Sequence, residues 1–374
     1  MSVADLALQR NKYKHLTDDE WRWFLQQVEG RERTADKLPT FAAIPDWWYP
    51  VRLSCEQCSS ELAAKYKAEI VNGKCPNGKC LDLTGGYGVD TYFLSEQFKQ
   101  ADYVEQNEEL CRIATHNFAN KPITIHNTSA EEFLTSAGQY DLIFLDPARR
   151  DSHGGKVFRL EDCTPNVVEL LPTLLAHGKR LLLKLSPMLD LTQAVNALSA
   201  VTWDIYVVAI KNEVKELLLL SGGSGQITAI DLDKKDQAFT FTREEESYSE
   251  AVLQAQPVLQ CNGLTSEAGL YLYEPSAAIL KAGAYKLIAE RFGLLKLDVN
   301  THLYGSEELV SNFPGRVWRI TEKQDLKQAN VLCRNYPLTP EALKKKLHLR
   351  DGGTAFIIGC RVAGKPTLFY AERV

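Results

Sequence analysis

Between about residue 79 and residue 222 the chain alternates short, near-continuous apolar runs with longer amphipathic stretches. The runs fall at 79–84, 101–105, 123–128, 140–146, 180–187, 204–210 and 216–221. A strand that is apolar at nearly every position is buried on both faces. Such strands, separated by helices, predict a parallel sheet covered on both sides. This pattern alone sets the fold class as α/β, with seven strands expected in the sheet.

The flanking regions read differently. Residues 1–70 predict helices. Trp21, Phe24, Leu25 and Val28 share one helix face, and a second helix begins after Ser59-Ser60 with serine as N-cap. Pro45 and Pro50 bracket an aromatic turn at Trp47, Trp48 and Tyr49. Inside the sheet region, Thr164-Pro165 predicts an N-cap and first turn, Pro172 a kink, and Gly178 a stop. Residues 226–243 alternate apolar and polar positions around Asp233-Lys234-Lys235-Asp236, which predicts a hairpin that ends the sheet. Residues 244–270 are polar and read as a linker. A smaller α+β region follows, with strands expected at 315–320, 355–360 and 367–371.

Charge is unevenly distributed over the 374 residues. The net charge is −5, yet residues 271–374 hold 16 Lys and Arg against 10 Asp and Glu. The C-terminal region is therefore at +6 and the remainder at −11. Such a basic module suits a polyanionic partner, although surface composition alone gives the same count. No apolar run approaches the roughly 18 residues of a membrane span, and the start of the chain lacks a signal core. Nine scattered cysteines suit a reducing cytoplasm. Cys55, Cys58, Cys75 and Cys80 have zinc-like spacing, but Cys80 opens a buried strand. Packed thiols are therefore the expectation there, and no metal is expected.

The first strand runs into Asp82-Leu83-Thr84-Gly85-Gly86-Tyr87-Gly88, and the second ends at Glu105, 20 residues after Gly85. A strand, glycine turn, helix, strand and terminal acid, in that order, bring backbone close to a ligand. They also place a carboxylate where it can accept from ribose hydroxyls. Gly86 and Gly88 are followed by Thr91, not by a third glycine, so the turn departs from the dinucleotide fingerprint.

These residues resemble the class I S-adenosylmethionine-dependent methyltransferases. Asp82-x-Thr84-Gly85-Gly86-x-Gly88 resembles their first motif, and Glu105 their ribose-binding acid. Ser129-Ala130 stands where they carry Asp-Ala beside the adenine, and Asp146-Pro147-Ala148-Arg149 resembles their fourth motif. The helix around Ser59, Ser60 and Lys65 resembles the segment that closes over the cofactor. Residues 271–275, 313–319 and 349–353 further resemble a bacterial methyltransferase family with a ferredoxin-like insert and a THUMP-like C-terminal domain. The resemblance implies a Rossmann-like methyltransferase sheet, S-adenosylmethionine as cofactor and RNA as partner. It divides the chain into a helical segment (1–70), a methyltransferase domain (71–243), a ferredoxin-like domain (271–320) and a THUMP-like domain (321–374).

Three acceptor chemistries were weighed on the residues. Pyrimidine carbon methylation needs a cysteine nucleophile, and Lys184-Leu185-Ser186-Pro187 has none where those enzymes carry one. Methylation of a base amino group goes with Asn/Asp-Pro-Pro-aromatic, and here Ala148 and Arg149 stand in the last two places. Ribose hydroxyl methylation suits Asp146, Lys184 and Glu216, which resemble the Lys-Asp-Lys-Glu set of some ribose methyltransferases, with Lys65 or Lys67 as the fourth member. A structural salt bridge closing the sheet's end is the favoured account of these three residues. Arg149 and Arg150, with His153, Lys156 and Arg159, form a basic cluster suited to phosphate contact. Lys344-Lys345-Lys346 reads either as a solvated helix face or as a second contact. The rival functions are a small-molecule or protein methyltransferase, and an RNA-binding protein without catalysis.

Overall fold

The structure, a computed structural model, describes residues 3–72, 78–149, 159–255 and 270–374. The chain forms two compact units. One holds residues 1–203 with 218–222, and the other holds 204–217 with 223–374.

The first unit contains β1 (Lys79–Asp82), β2 (Gln100–Glu105), β3 (Ile123–Asn127) and β4 (Leu142–Leu145). A two-stranded ribbon, β5 (Ala148–Arg149) with β6 (Cys163–Thr164), follows, and then β7 (Leu181–Leu185). Strands β3, β2, β1, β4 and β7 pair in that order, all parallel. The apolar runs of β1, β4 and β7 are buried as expected, whereas the edge strand β3 has no buried residue. All of Leu142–Leu145, Leu181, Leu182 and Leu183 are fully or almost fully shielded from solvent. The helices of residues 3–72 share a core with this sheet. Leu38, Phe41, Trp47, Tyr49 and Ala64 pack with Phe93, Tyr103 and Phe118.

The second unit contains β8 (Trp203–Ile210, from Asp204 on), β10 (Ile227–Asp231) and β11 (Phe239–Phe241), and the division passes through β9 (Glu213–Ser221). Among the described residues the sheet counts nine strands in the order β11-β10-β8-β9-β7-β4-β1-β2-β3. This exceeds the expected seven because the predicted hairpin, β10 with antiparallel β11, extends the sheet instead of only closing it. The C-terminal strands are β12 (Tyr271–Pro275), β13 (Leu295–Asp298), β14 (Thr301–Ser306), β15 (Gly315–Thr321), β16 (Asn330–Arg334), β17 (Ala355–Val362) and β18 (Lys365–Arg373). They form one sheet in the order β13-β14-β12-β15-β18-β17-β16. The three C-terminal strands expected from sequence are β15, β17 and β18.

Two local expectations are corrected. The helix Val167–His177 is capped by Asn166, whose side chain accepts from the amides of Val168 and Glu169, and not by Thr164. An amide oxygen one residue ahead of the first turn reaches those donors, and Thr164 is taken up in β6. Gly178 does end this helix. The polar stretch expected as a linker begins instead with the helix Arg243–Ala255. Thr242 and Glu245 cap it reciprocally: Glu245 N donates to Thr242 Oγ1 at 3.2 Å, and Thr242 N donates to Glu245 Oε2 at 2.7 Å. Residues 256–269 of that stretch lie outside the described residues.

Among the described residues no helix is long and apolar enough to cross a membrane. The C-terminal sheet instead buries a charge. Glu274 is 2% exposed and accepts from two guanidiniums, Arg316 and Arg334. Two cations on one carboxylate satisfy it, but removing the carboxylate leaves them facing each other. Glu274→Ala should therefore destabilise the protein by about 3 kcal/mol, read as a fall in the urea midpoint. An unchanged midpoint would show the cluster to be dispensable.

Candidate functional site

The site is built where β1 ends. Asp82 is 1% exposed. Its Oδ1 accepts from the Thr84 amide at 2.9 Å, and its Oδ2 accepts from the Thr91 hydroxyl at 2.5 Å. Thr84 Oγ1 in turn accepts from the Asp146 amide at 2.7 Å. One buried carboxylate therefore ties the turn after β1, the helix Val89–Ser95 and the end of β4 together. Burial pushes its acid up to about 7, against the hydrogen bonds from Thr91 and Thr84, which pull it down.

The glycines have separate tasks. A Cβ on Gly85 would lie 2.1 Å from the ring of Tyr103, whose hydroxyl donates to Gly86 O at 2.6 Å. Gly86 takes φ +54°, and its α-carbon faces open space, with only Thr84 O at 3.8 Å from a would-be Cβ. Backbone is thus left bare toward the cavity. Glu105 accepts from the Gly86 amide at 2.9 Å through Oε2 and from the Asn107 amide at 2.8 Å through Oε1. These bonds orient the carboxylate, and each oxygen keeps a second lone pair.

A cavity of about 340 Å³ opens at this edge. Of the residues expected to hold cofactor, Asp82, Thr84, Gly85, Gly86, Gly88, Glu105, Ser129, Ala130 and Asp146 line it, and Pro147 does not. Ser129 also caps the helix Ala130–Leu134 by accepting from Glu132 N at 3.1 Å. The helix Arg52–Gln57 and the turn after it contribute Ser54, Gln57, Cys58 and Ser59. Ser60 is used as the N-cap of the helix Glu61–Val71, and Lys65 pairs with Glu61 at 2.6 Å.

Among the described residues the lining includes five carboxylates, from Asp82, Asp90, Glu105, Glu131 and Asp146, of which Asp90 and Asp146 are paired with Lys67 and Lys184. Such a cavity favours a cationic ligand and disfavours a pyrophosphate. The donor chemistry thus fits a sulfonium that also carries an ammonium, and argues against a nicotinamide dinucleotide.

The sequence offers Lys67, with Lys65, as the fourth catalytic candidate, but not the ion pair it makes with Asp90. Lys67, fully buried, lies 3.2 Å from Asp90 Oδ1 and donates to Ser59 Oγ at 3.2 Å, while Ser59 donates to Asp90 Oδ2 at 2.7 Å. Ser59 and Asp90 line the cavity, so this buried ion pair forms part of its wall. Asp90 and Thr91 sit in the first turn after Gly88, and that position was the available signal. Tyr87 also lines the cavity. Its hydroxyl accepts from Trp47 Nε1 at 2.9 Å, which fastens the aromatic turn of the N-terminal segment to the glycine loop.

Asp146 and Lys184 are brought together as an ion pair, with Lys184 the more buried of the two. Glu216 is buried in β9 and belongs to the second unit. Arg150, His153 and Lys156 lie outside the described residues, and of the Arg149 side chain nothing is described. Arg159 is exposed. Among the cysteines, Cys55 donates to Pro50 O at 3.5 Å, and burial pushes its thiol up to about 12. Cys75 is outside the described residues, and among those described no group of His, Cys, Asp and Glu is arranged to hold a metal.

Comparison with known proteins identifies the family. A putative methyltransferase from Porphyromonas gingivalis W83 superposes on the chain with a TM-score of 0.82. It is 32% identical and covers 96% of this chain and 92% of its own. The chain belongs to the S-adenosylmethionine-dependent methyltransferases. An uncharacterized S-adenosylmethionine-dependent methyltransferase of Mycobacterium tuberculosis, represented from two strains, is 22% identical over 363 residues. The match covers 92% of this chain and 94% of that protein. Residues 271–314 of the methyltransferase match a ferredoxin-like domain family, and residues 315–373 match a THUMP domain-like family.

The Asp82 acid has a consequence for stability. Folding raises it from 3.8 to about 7, so the folded methyltransferase keeps a proton that the unfolded chain releases. Its contribution is complete below about pH 4 and is lost as pH rises toward about 7. Over that window the stability of the wild type relative to Asp82→Asn should fall steadily, as followed by urea unfolding without cofactor. A difference independent of pH would mean that Asp82 is ionised in the fold.

Proposed function

We propose that this methyltransferase modifies RNA in the cytoplasm. The observation that carries the reading is the pairing, in one chain, of a carboxylate-lined cofactor cavity with a C-terminal region at +6 that matches a THUMP domain-like family. A polyanion is the partner that such a region favours.

S-adenosylmethionine supplies a methyl group on a sulfonium, which is transferred to a nucleophile in line with it. Glu105 would accept from the ribose hydroxyls through its remaining lone pairs. Ser129 and Ala130 would hold the base, and the turn of Asp82, Thr84, Gly85, Gly86 and Gly88 would hold the amino-acid end. The domain division proposed for the chain is that of the sequence reading: 1–70, 71–243, 271–320 and 321–374.

Asp146 is proposed as the catalytic group. Lys184 holds its Oδ2, while its Oδ1 has no other hydrogen bond among the described residues. That oxygen can take the proton of an acceptor hydroxyl or amine as the methyl group arrives, and Lys184 fixes its direction. Glu216 is kept as the third catalytic candidate on the sequence reading alone, and Arg149 and Arg150 are proposed as phosphate contacts beside the fourth motif.

The test is to mix the purified protein with tritiated S-adenosylmethionine and total RNA from a strain lacking this gene. Labelled RNA is expected. Asp146→Asn and Lys184→Ala should each lower incorporation by about 10²–10⁴-fold with little change in cofactor affinity. Cofactor binding without labelled RNA would transfer the activity to a small-molecule or protein acceptor. Full activity of Lys184→Ala would reduce its ion pair to a structural role.

A further inference from the structure

Within the second unit a separate cavity of about 370 Å³ is lined by Lys211, Lys234, Arg316 and Arg373, with Asp231 and Asp233 on the same wall. The two aspartates are occupied by backbone. Asp231 accepts from the amides of Asn212, at 2.6 Å, and Asp233, at 3.3 Å, and Asp233 accepts from the Lys211 amide at 2.5 Å. Amide donors disperse part of their charge. Arg316 is held by buried Glu274, which it shares with Arg334, so that cluster has one positive charge in excess. Lys211, Lys234 and Arg373 have no ion pair among the described residues. The cavity is therefore rich in cationic donors that the fold itself does not use.

The position of Lys211 strengthens the point. Lys211 and Asn212 are the two-residue turn between β8 and β9, with φ of +52° and +59°. Such a turn needs left-handed backbone at both positions and favours Asn or Gly there. Asn212 conforms, and it also accepts from Ala277 N at 2.8 Å, which fastens the turn. Lysine gains nothing from the left-handed region. Turn geometry therefore does not account for a lysine here, and this lysine lines the cavity.

We infer that this cavity binds phosphate groups of the RNA substrate, with Lys211, Lys234 and Arg373 as the contacting cations. The inference rests on the RNA reading above and deepens it by naming where the backbone is gripped. The contacts are to phosphate, so they position the RNA without reading its sequence.

The experiment follows the anisotropy of a labelled single-stranded oligouridine bound to the full-length protein at increasing salt. The variants are Lys211→Asn and the triple Lys211→Asn, Lys234→Gln, Arg373→Gln. Loss of three phosphate contacts should make the slope of log affinity against log salt shallower by about 2, with S-adenosylmethionine affinity unchanged. Lys211→Asn alone should weaken RNA while its melting temperature is held or raised, because Asn suits the turn better. An RNA-binding wild type whose slope survives the triple substitution would overturn the site and leave the RNA reading intact. Conversely, if oligouridine does not bind but inorganic phosphate does, and the triple variant loses it, the cavity would be a free-phosphate site and the RNA reading would fall. A Lys211→Asn protein that melts lower and binds RNA normally would show that the lysine serves the fold, which also overturns the inference.

Discussion

The site depends on one buried carboxylate. Asp82 holds the Thr84 amide with one oxygen and the Thr91 hydroxyl with the other, and Thr84 passes the constraint on to the Asp146 amide. Three separate segments are thereby fixed with no contact wasted on solvent. A carboxylate so enclosed is expensive to ionise, and its acid at about 7 expresses that cost. The turn after β1 is therefore stabilised by an interaction whose strength depends on proton occupancy.

Around that point the fold uses close approach more than flexibility. Gly85 lets the Tyr103 ring reach the loop, and Tyr103 then holds Gly86 O. Glu105 holds the same glycine from the other side through its amide. Trp47 reaches in from the N-terminal segment to Tyr87. A glycine-rich loop is often taken as mobile, but here it is fastened by four separate side chains. Preorganisation of this kind lowers the ordering cost of binding.

Much of this could be read in the sequence, and the reason is physical. Leu181, Leu182 and Leu183 are apolar at consecutive positions because both sheet faces are covered, and only a buried strand tolerates that. Strand, glycine turn and acid have meaning in order, so Gly85, Gly86 and Glu105 could be named. Lys67 could be named only as an alternative to Lys65. In sequence it is one more lysine on an amphipathic helix, and only the packing shows it buried against Asp90 and Ser59. Thr164-Pro165 misled because a hydroxyl before proline imitates an N-cap, whereas the Asn166 amide oxygen was in reach. The helix after Thr242 was missed because its polar residues hid a capping box. Lys211 is visible as a turn residue only once the backbone is known to be left-handed there.

The two charge distributions together make a stronger argument than either alone. Among the described residues the cofactor cavity is lined by five carboxylates, of which only Asp90 and Asp146 are paired with lysines, and this suits a sulfonium. An RNA acceptor would gain little from the charge of such a cavity. Affinity for its backbone would have to come from cations outside it, such as the proposed contacts Lys211, Lys234 and Arg373. Binding energy supplied away from the reacting atoms is what positions a nucleophile that the site's own charge does not draw in.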